Sequence, residues 1–529
     1  MSSAPERAAQ PARLWLGLAV IAGLAHALSM AWPFALGWTQ GQPVAALQVA
    51  SLVALVALLE RCSSGRQAGV LAWLFATAML AGTFWWLFIS MHVYGGLPAV
   101  LAVLAVLALA AALGLYYALA GSLYWRWRSG GAGRRVLLWA GLWLLAELAR
   151  VVLFTGFPWG QSGYAHIDGW ARPLAGWIGV HGLSWLSAAV AAALALWLMP
   201  SPGQPQRLRP ALLVLTAAIA LAWAPIPTQT QAPRPALSLT LVQGNIAQDE
   251  KFIPGKGLEE ALRFYAQELK AAQTSLVVLP ETAIPLLPAQ LDAAYWQDLR
   301  DHFARGQQAA LLGMPMGSFE EGYTNSVIGL QPGEPGQAPL YRYDKHHLVP
   351  FGELIPPLFK WFVQMMNIPL GDFNRGAVGQ ASFVWQGERL APNICYEDLF
   401  GEELGARFAN PQQAPTIMVN VSNIGWFGDT VAIDQHLHIS RMRTLELGRP
   451  MVRATNTGAT VVIDAHGRVT HALPRHTQGR LQAQVQGREG LTLYARAVAL
   501  LGLLPWYGWA LLGVLAAIGR RTGAARPHG

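Results

Sequence analysis

The sequence predicts a two-part protein: a polytopic α-helical membrane domain of about eight spans, and an α/β layered domain held outside the cytoplasm. Three observations lead there. Hydrophobic residues make up 53% of the chain and charged residues only 12%, about half the charge of an ordinary soluble protein at roughly 25%. The apolar residues crowd into about the first 225 positions and the last 35, leaving a middle of ordinary polarity. Arginines, finally, recur on alternate loops between the apolar segments.

A span needs roughly 20 mostly apolar residues. Candidates lie at 12–32, 43–60, 68–91, 97–124, 136–153, 176–199, 209–224 and 493–517, the seventh being the shortest. One side of the membrane would then hold Arg7 and Arg13, Arg61 and Arg66, Arg126, Arg128, Arg134 and Arg135, Arg207 and Arg209, and Arg520, Arg521 and Arg526. The short loops of the other side, 33–43 and 92–96, carry no Lys or Arg, and the longer loop after the fifth span has only Arg172. Cytoplasmic loops are the ones enriched in Lys and Arg, so both termini are expected in the cytoplasm. The chain divides into a membrane domain (1–228), an extracytoplasmic domain (229–490) and a last span with a cytoplasmic tail (491–529). A cleaved signal peptide is the other reading of the first apolar segment; seven further spans with matching charge alternation favour an uncleaved anchor. The net charge of +8 is mostly these arginines, and no nucleic-acid partner is indicated.

In the middle domain, strands are expected at 236–246, 275–282, 309–316, 416–423, 451–458 and 459–467, and helices at 256–273, 291–307 and 432–447. Strands interleaved with helices give an α/β layered domain. "PIPTQTQAPRPA" (225–236) reads as the linker leaving the membrane.

The chain has two cysteines. Cys62 falls at the cytoplasmic end of the second span and Cys395 in the external domain, so they cannot bridge. Cys395 is then a free thiol where disulfides are common. A buried inert thiol is the ordinary alternative. Three polar residues stand at strand ends: Glu281 in "VVLPETAIP", Lys345 in "LYRYDKHHLVPFGE" and Cys395 in "RLAPNICYED". Open α/β sheets bind ligands at strand ends. A thiol near pKa 8.5 needs a base or a cation to become a nucleophile. Glu281 could take the proton and Lys345 could favour the thiolate and an oxyanion. Taken singly, each has a bland explanation: a surface carboxylate, a solvated amine and a core thiol.

Together, "LPET" (279–282), "YDKHHLVPFGE" (343–353) and "NICYED" (393–398) resemble the Glu-Lys-Cys signatures of the nitrilase superfamily, whose fold is an αββα sandwich. With the predicted spans, the chain resembles the membrane branch of that superfamily, the apolipoprotein N-acyltransferase family. The likeness extends over nearly the whole chain, through "LAELARVVLFTGFPW" (145–159), "VQGNIAQ" (242–248), "FNRG" (373–376), "WFGDT" (426–430) and "RMRTLELGRPMVRATNTG" (441–458). It implies Glu281 as base, Lys345 as oxyanion stabiliser and Cys395 as nucleophile, with Glu353, Tyr396 and Glu397 in support and the Tyr396 N–H as a second oxyanion donor. Phe252 stands where the family often has Trp, and Ile424-Gly425 where Asp-Ala is common.

The activity implied is a two-step acyl transfer at the outer face of a bacterial inner membrane. Cys395 would take an acyl chain from a phosphatidylethanolamine-like phospholipid, and the α-amine of a diacylglyceryl-cysteine on an apolipoprotein would take it from the thioester. No cofactor is expected: the donor is already an ester, and the chain contains neither a Walker sequence nor G-x-G-x-x-G. The apolar stretch 351–373, with Trp361 and Phe362, is expected to form a mobile lid or arm at the membrane interface, with Phe252 and Trp426 near the substrate; a buried core helix is the alternative. Other candidates rank lower. His436 and His438 lie two apart and so face different ways on a helix, without further ligands at zinc spacing. His346 and His347 flank Lys345. No G-x-S-x-G occurs, which disfavours a serine hydrolase. Glu147 and Arg150, inside the fifth span, should pair or face a cavity. Rival readings are a membrane-anchored nitrilase-type amidohydrolase, for which one anchor would suffice, and a transporter, disfavoured by few intramembrane charges and no repeat.

Overall fold

The computed structural model describes residues 12–199, 234–251, 256–334, 340–355 and 373–518. Among the described residues, the middle part has twelve strands: β1 (Leu237–Gln243), β2 (Leu276–Val278), β3 (Ala309–Ser318), β4 (Gly322–Leu330), β5 (Tyr341–Asp344), β6 (Phe383–Trp385), β7 (Glu388–Ile394), β8 (Ile417–Ser422), β9 (Met451–Thr455), β10 (Val461–Ile463), β11 (Val469–Ala472) and β12 (Gly479–Val485). They form two six-stranded sheets, ordered β12-β1-β2-β3-β4-β5 and β11-β10-β9-β8-β7-β6. Leu239, Leu276 and Val278 of the first sheet meet Ile394, Val419 and Val452 of the second in one buried core. Burial on both faces suits the near-continuous apolar runs of the central parallel strands.

The helices Gly257–Ala271 and Ala293–Arg305 cover the outer face of the first sheet, with Tyr265, Leu269, Leu299 and Phe303 against Val277 and Leu312. The second of them starts at Asp292, whose carboxylate accepts from the Tyr295 N–H at 2.9 Å, the usual N-cap bond. A third helix, Ala432–Leu447, covers the second sheet. The layers are therefore helix, sheet, sheet, helix. All three expected helices and all six expected strands have counterparts; β4, β5, β6, β7, β11 and β12 were not expected. β11 is exposed throughout, β12 alternates, and β7 contains Pro392, so none presents a continuous apolar run.

The helix Ala432–Leu447 is polar yet buried nearly everywhere, because apolar helices of the N-terminal part cover its outer side. Gln435 accepts from the indole N–H groups of Trp86 (3.1 Å) and Trp159 (2.8 Å) and donates to the Thr83 carbonyl (3.0 Å). The Val180 N–H donates to Glu446 at 2.6 Å, and His438 Nε2 donates to the Gly41 carbonyl at 2.7 Å. Polar groups that would be costly to bury alone are thus paired.

The longer helices among the described residues of the N-terminal part are Ala12–Leu28, Ala45–Arg61, Gly65–Thr83, Ala99–Trp127, Ala132–Val152 and Ala175–Leu198. Among the described residues, Ala99–Trp127, Ala132–Thr155 and Arg172–Leu198 are long and apolar enough to cross a membrane, and up to five spans result if each bent pair is one. Those pairs are Gly65–Thr83 with Leu87–Tyr94, bent by 63°, and Leu493–Leu501 with Leu504–Ile518, bent by 95°. The helices over two expected spans, 68–91 and 493–517, are therefore bent rather than straight. The first apolar helix, Arg13–Leu28, is shorter than its expected span, and the seventh expected span, 209–224, lies outside the described residues.

Glu147 and Arg150 are buried, but they do not bond each other. Glu147 accepts from the N–H and hydroxyl of Ser162 at 2.9 and 2.7 Å. Arg150 donates to the Tyr117 hydroxyl and to the carbonyls of Phe157 and Trp159. The loop that follows this helix returns to supply partners for both charges.

Candidate active site

Sheet register determines which side chains meet. β2 runs parallel to β3 with Val278 opposite Leu311, and Glu281 follows three residues beyond the strand. β5 is antiparallel to β4 with Asp344 opposite Ser326. The next residue, Lys345, therefore faces Asn325, and its N–H donates to the Asn325 carbonyl at 2.8 Å. β7 is parallel to β8 with Ile394 opposite Val421, which sets Cys395 beside the Asn423 loop. Glu281, Lys345 and Cys395 thus converge from three strand ends on two sheets.

Their contacts are specific. Lys345, fully buried, has its Nζ 2.9 Å from Glu353 Oε1, 2.8 Å from Glu353 Oε2 and 3.3 Å from Glu281 Oε1. Asn325 Nδ2 donates to both carboxylates at 2.8 Å. The other Glu281 oxygen accepts from the Asn423 N–H at 2.9 Å, and the same N–H favours the Cys395 thiolate. Glu353 is anchored by the Val349 N–H at 2.9 Å. Burial disfavours charge on Lys345, but Glu353 and Glu281 hold its pKa above the usual lysine range. Burial pushes the Cys395 thiol up; Glu281 adds to this and Lys345 opposes it. A thiol so placed stays protonated until a base takes its proton.

Cys395 has φ +52°, a left-handed conformation uncommon for a side-chain-bearing residue, and opens the short turn Cys395–Leu399. Glu397 holds this turn. Its buried carboxylate accepts from the Ile394 N–H (2.7 Å), the His346 N–H (2.7 Å), the His347 N–H (3.3 Å) and the Tyr343 hydroxyl (2.8 Å). One side chain therefore ties the thiol's strand to the lysine's strand. Burial raises the Glu397 pKa, although these donors work against the rise.

Tyr396 points its hydroxyl at the Gly156 carbonyl, 2.9 Å away, and packs on Phe157, His347 and Phe400. His347 Nε2 donates to the Thr155 carbonyl at 2.8 Å, and His346 Nδ1 lies 2.7 Å from the Gly376 carbonyl. Neither histidine bonds the Glu281 or Lys345 side chain. His436 Nε2 donates to the Cys395 carbonyl at 3.1 Å and its Nδ1 accepts from Arg453 at 3.2 Å. This arrangement fits a neutral imidazole, whose pKa burial and Arg453 hold low. Among the described residues no cluster of His, Cys, Asp or Glu could hold a metal ion. Trp426 sits in the Ile424–Phe427 turn, edge-on to Tyr94 at 5.6 Å. Phe252, Trp361 and Phe362, and most of the expected lid, lie outside the described residues.

Asn325, Asn423 and Lys251 are site residues that sequence reasoning did not single out. Lys251 Nζ donates to the Glu281 carbonyl at 3.2 Å and to Thr282 Oγ1 at 2.8 Å. Asn325 lies in the polar run Thr324-Asn325-Ser326 of β4, which in the sequence looks no different from a satisfied core segment.

The family comparisons agree along the chain's length. A model described as apolipoprotein N-acyltransferase N-terminal domain matches residues 22–193, and one described as carbon-nitrogen hydrolase matches residues 238–492. The chain is 54% identical over 516 residues to the apolipoprotein N-acyltransferase of Verminephrobacter eiseniae, spanning 93% of this chain and 94% of that one. It is 42% identical over 516 residues to that of Ralstonia nicotianae, spanning 96% and 94%. Among solved structures, a carbon-nitrogen hydrolase from Helicobacter pylori G27 aligns with a TM-score of 0.34 and 17% identity over 51% of this chain and 94% of that one, a likeness too low to add to the argument. The two matched models in tandem, and relatives aligned nearly end to end, show that this chain belongs to the apolipoprotein N-acyltransferase family.

Proposed function

We propose that the protein N-acylates lipoproteins by a ping-pong reaction through a thioester on Cys395. The carrying observation is that one Glu281 carboxylate meets Lys345 through one oxygen and the Asn423 N–H beside Cys395 through the other. Glu281 takes the thiol proton as sulfur attacks an acyl ester of a phosphatidylethanolamine-like phospholipid. Lys345 stabilises the oxyanion of the tetrahedral intermediate. The C–O bond breaks, and the proton leaves from Glu281 with the lysophospholipid. In the second half, the free α-amine of a diacylglyceryl-cysteine attacks the thioester and loses a proton to Glu281. The C–S bond breaks and the thiol is restored. Glu353 and Asn325 hold Lys345 and Glu281 in register.

The site reads as facing the periplasm, with both termini cytoplasmic and a domain division at 1–228, 229–490 and 491–529. Arginine alternation supports that orientation, and the apolar helices Ala99–Trp127, Ala132–Thr155 and Arg172–Leu198 support insertion in the bilayer.

The test is intact mass spectrometry of wild type and Cys395→Ala with phosphatidylethanolamine, followed by a diacylated lipopeptide bearing a free amine. Wild type alone should gain one hydroxylamine-sensitive acyl mass and surrender it to the lipopeptide. Transfer to water alone would favour the amidohydrolase reading. No adduct on folded protein would remove Cys395 as the nucleophile.

A further inference from the structure

Lys251 is a buried amine beside the site for which the reaction above has no use. Glu281 belongs to the turn 280–282, in which Thr282 has φ +48°. This turn is confined on two sides. On β3, Gly313 is so close that a Cβ there would lie 2.5 Å from the Pro280 carbonyl oxygen and 2.7 Å from the Thr282 nitrogen. From the other side Lys251 donates to the Glu281 carbonyl and the Thr282 hydroxyl.

Lys251 closes a short turn in which its N–H bonds the Ala247 carbonyl at 3.0 Å. The same turn contains Gln248, whose Oε1 accepts from Asn423 Nδ2 at 2.6 Å. Asn423 in turn donates its N–H to the Glu281 carboxylate. Residues 247–251 therefore act on Glu281 at both ends, on its main chain through Lys251 and on its carboxylate through Gln248 and Asn423. Burial lowers the Lys251 pKa to about 7, and the Glu281 charge opposes that fall. Burying an amine costs free energy unless it is hydrogen-bonded.

We propose that Lys251 is a positioning residue for acyl transfer: by bonding the Glu281 carbonyl and the Thr282 hydroxyl it holds the 280–282 turn so that the Glu281 carboxylate meets Lys345 and the thiol. This rests on reading Glu281 as the base.

The test uses full-length protein in phosphatidylethanolamine proteoliposomes and reads single-turnover thioester formation by intact mass. Losing two hydrogen bonds from a buried amine should slow Lys251→Ala and Lys251→Met about 10- to 100-fold. Ethylammonium should restore Lys251→Ala saturably, because it fits the space left, and should leave Lys251→Met unchanged. Lys251→Gln, which keeps a donor, and Thr282→Val, which removes one acceptor, should lie between wild type and Lys251→Met. A wild-type rate in Lys251→Met overturns the proposal. So does a loss that tracks melting temperature and ignores ethylammonium, since that marks a merely structural role. Glu281→Gln, measured in parallel, separates the two readings: if it keeps the wild-type rate, the base assignment fails and the proposal with it. If it is inactive while Lys251→Met is normal, only the proposal fails.

Discussion

At the scale of single residues, the site puts a reluctant thiol among opposed charges. Burial and Glu281 disfavour the Cys395 thiolate, and Lys345 favours it. Removing the negative neighbour should therefore lower the pH at which the thiol reacts, and removing the positive one should raise it. We expect alkylation of Cys395 by iodoacetamide to begin at lower pH in Glu281→Gln than in wild type, and at higher pH in Lys345→Met. Parallel pH curves for all three proteins would contradict this electrostatic account. Asn325 is the second residue to probe, because one amide serves two carboxylates. Its replacement by Leu should cost about 1.5–3 kcal/mol in the thioester-forming step, measured as the single-turnover rate. Asn325→Asp should do worse, since it adds a third carboxylate around one ammonium. Glu281, Lys345 and Cys395 were singled out in the sequence by the joint likeness of their three motifs to the nitrilase signatures, since β5 and β7, which lead to Lys345 and Cys395, carry no continuous apolar run. Asn325 was not, because a polar residue inside a strand has no local mark distinguishing a site from a satisfied core group.

At the scale of elements, turns carry the chemistry and strands aim them. Gly313 on β3 lets the Glu281 turn approach, so Gly313→Ala should displace that turn and abolish thioester formation, while circular dichroism shows the sheets intact. A fully active Gly313→Ala enzyme would mean that the turn has room to spare. The helix Ala432–Leu447 illustrates a different limit of sequence reading. Its position is legible from its pattern, but its burial is not: a helix with Gln435, His436, His438, Arg443 and Glu446 looks solvated until apolar helices cover it. Gln435→Leu removes three bonds to Thr83, Trp86 and Trp159. A loss of stability of about 1–3 kcal/mol is expected, read as a lower melting temperature in detergent. The unexpected strands have a shared physical cause. Edge positions (β5, β6, β11, β12), Pro392 in β7 and the polar run Thr324-Asn325-Ser326 in β4 interrupt the apolar run that signals a strand, whereas pairing in a sheet stabilises such segments anyway.

At the scale of the molecule, helical and α/β parts share one core. Trp143, Val180 and Trp506 belong to the same buried cluster as Tyr396, Ile433 and Met442. The loop after the helix Ala132–Val152 also reaches the site directly: the Thr155 carbonyl accepts from His347 and the Gly156 carbonyl from Tyr396. A segment limited to residues 234–492 should therefore fail to give soluble, monodisperse protein. Size-exclusion chromatography would check this, and a well-behaved monomer with native thermal stability would show that the shared core is dispensable. Composition, apolar run lengths and arginine placement already specify a membrane-associated helical part and a separate α/β part, since these are sums over neighbouring residues and survive without knowledge of contacts. Bent helices, the covered polar helix and the grouping of Lys251, Glu281, Asn325, Lys345 and Cys395 depend on sheet register and on packing between distant segments. Residues well over a hundred positions apart come within hydrogen-bond reach only when two sheets stack, and no local pattern encodes that meeting.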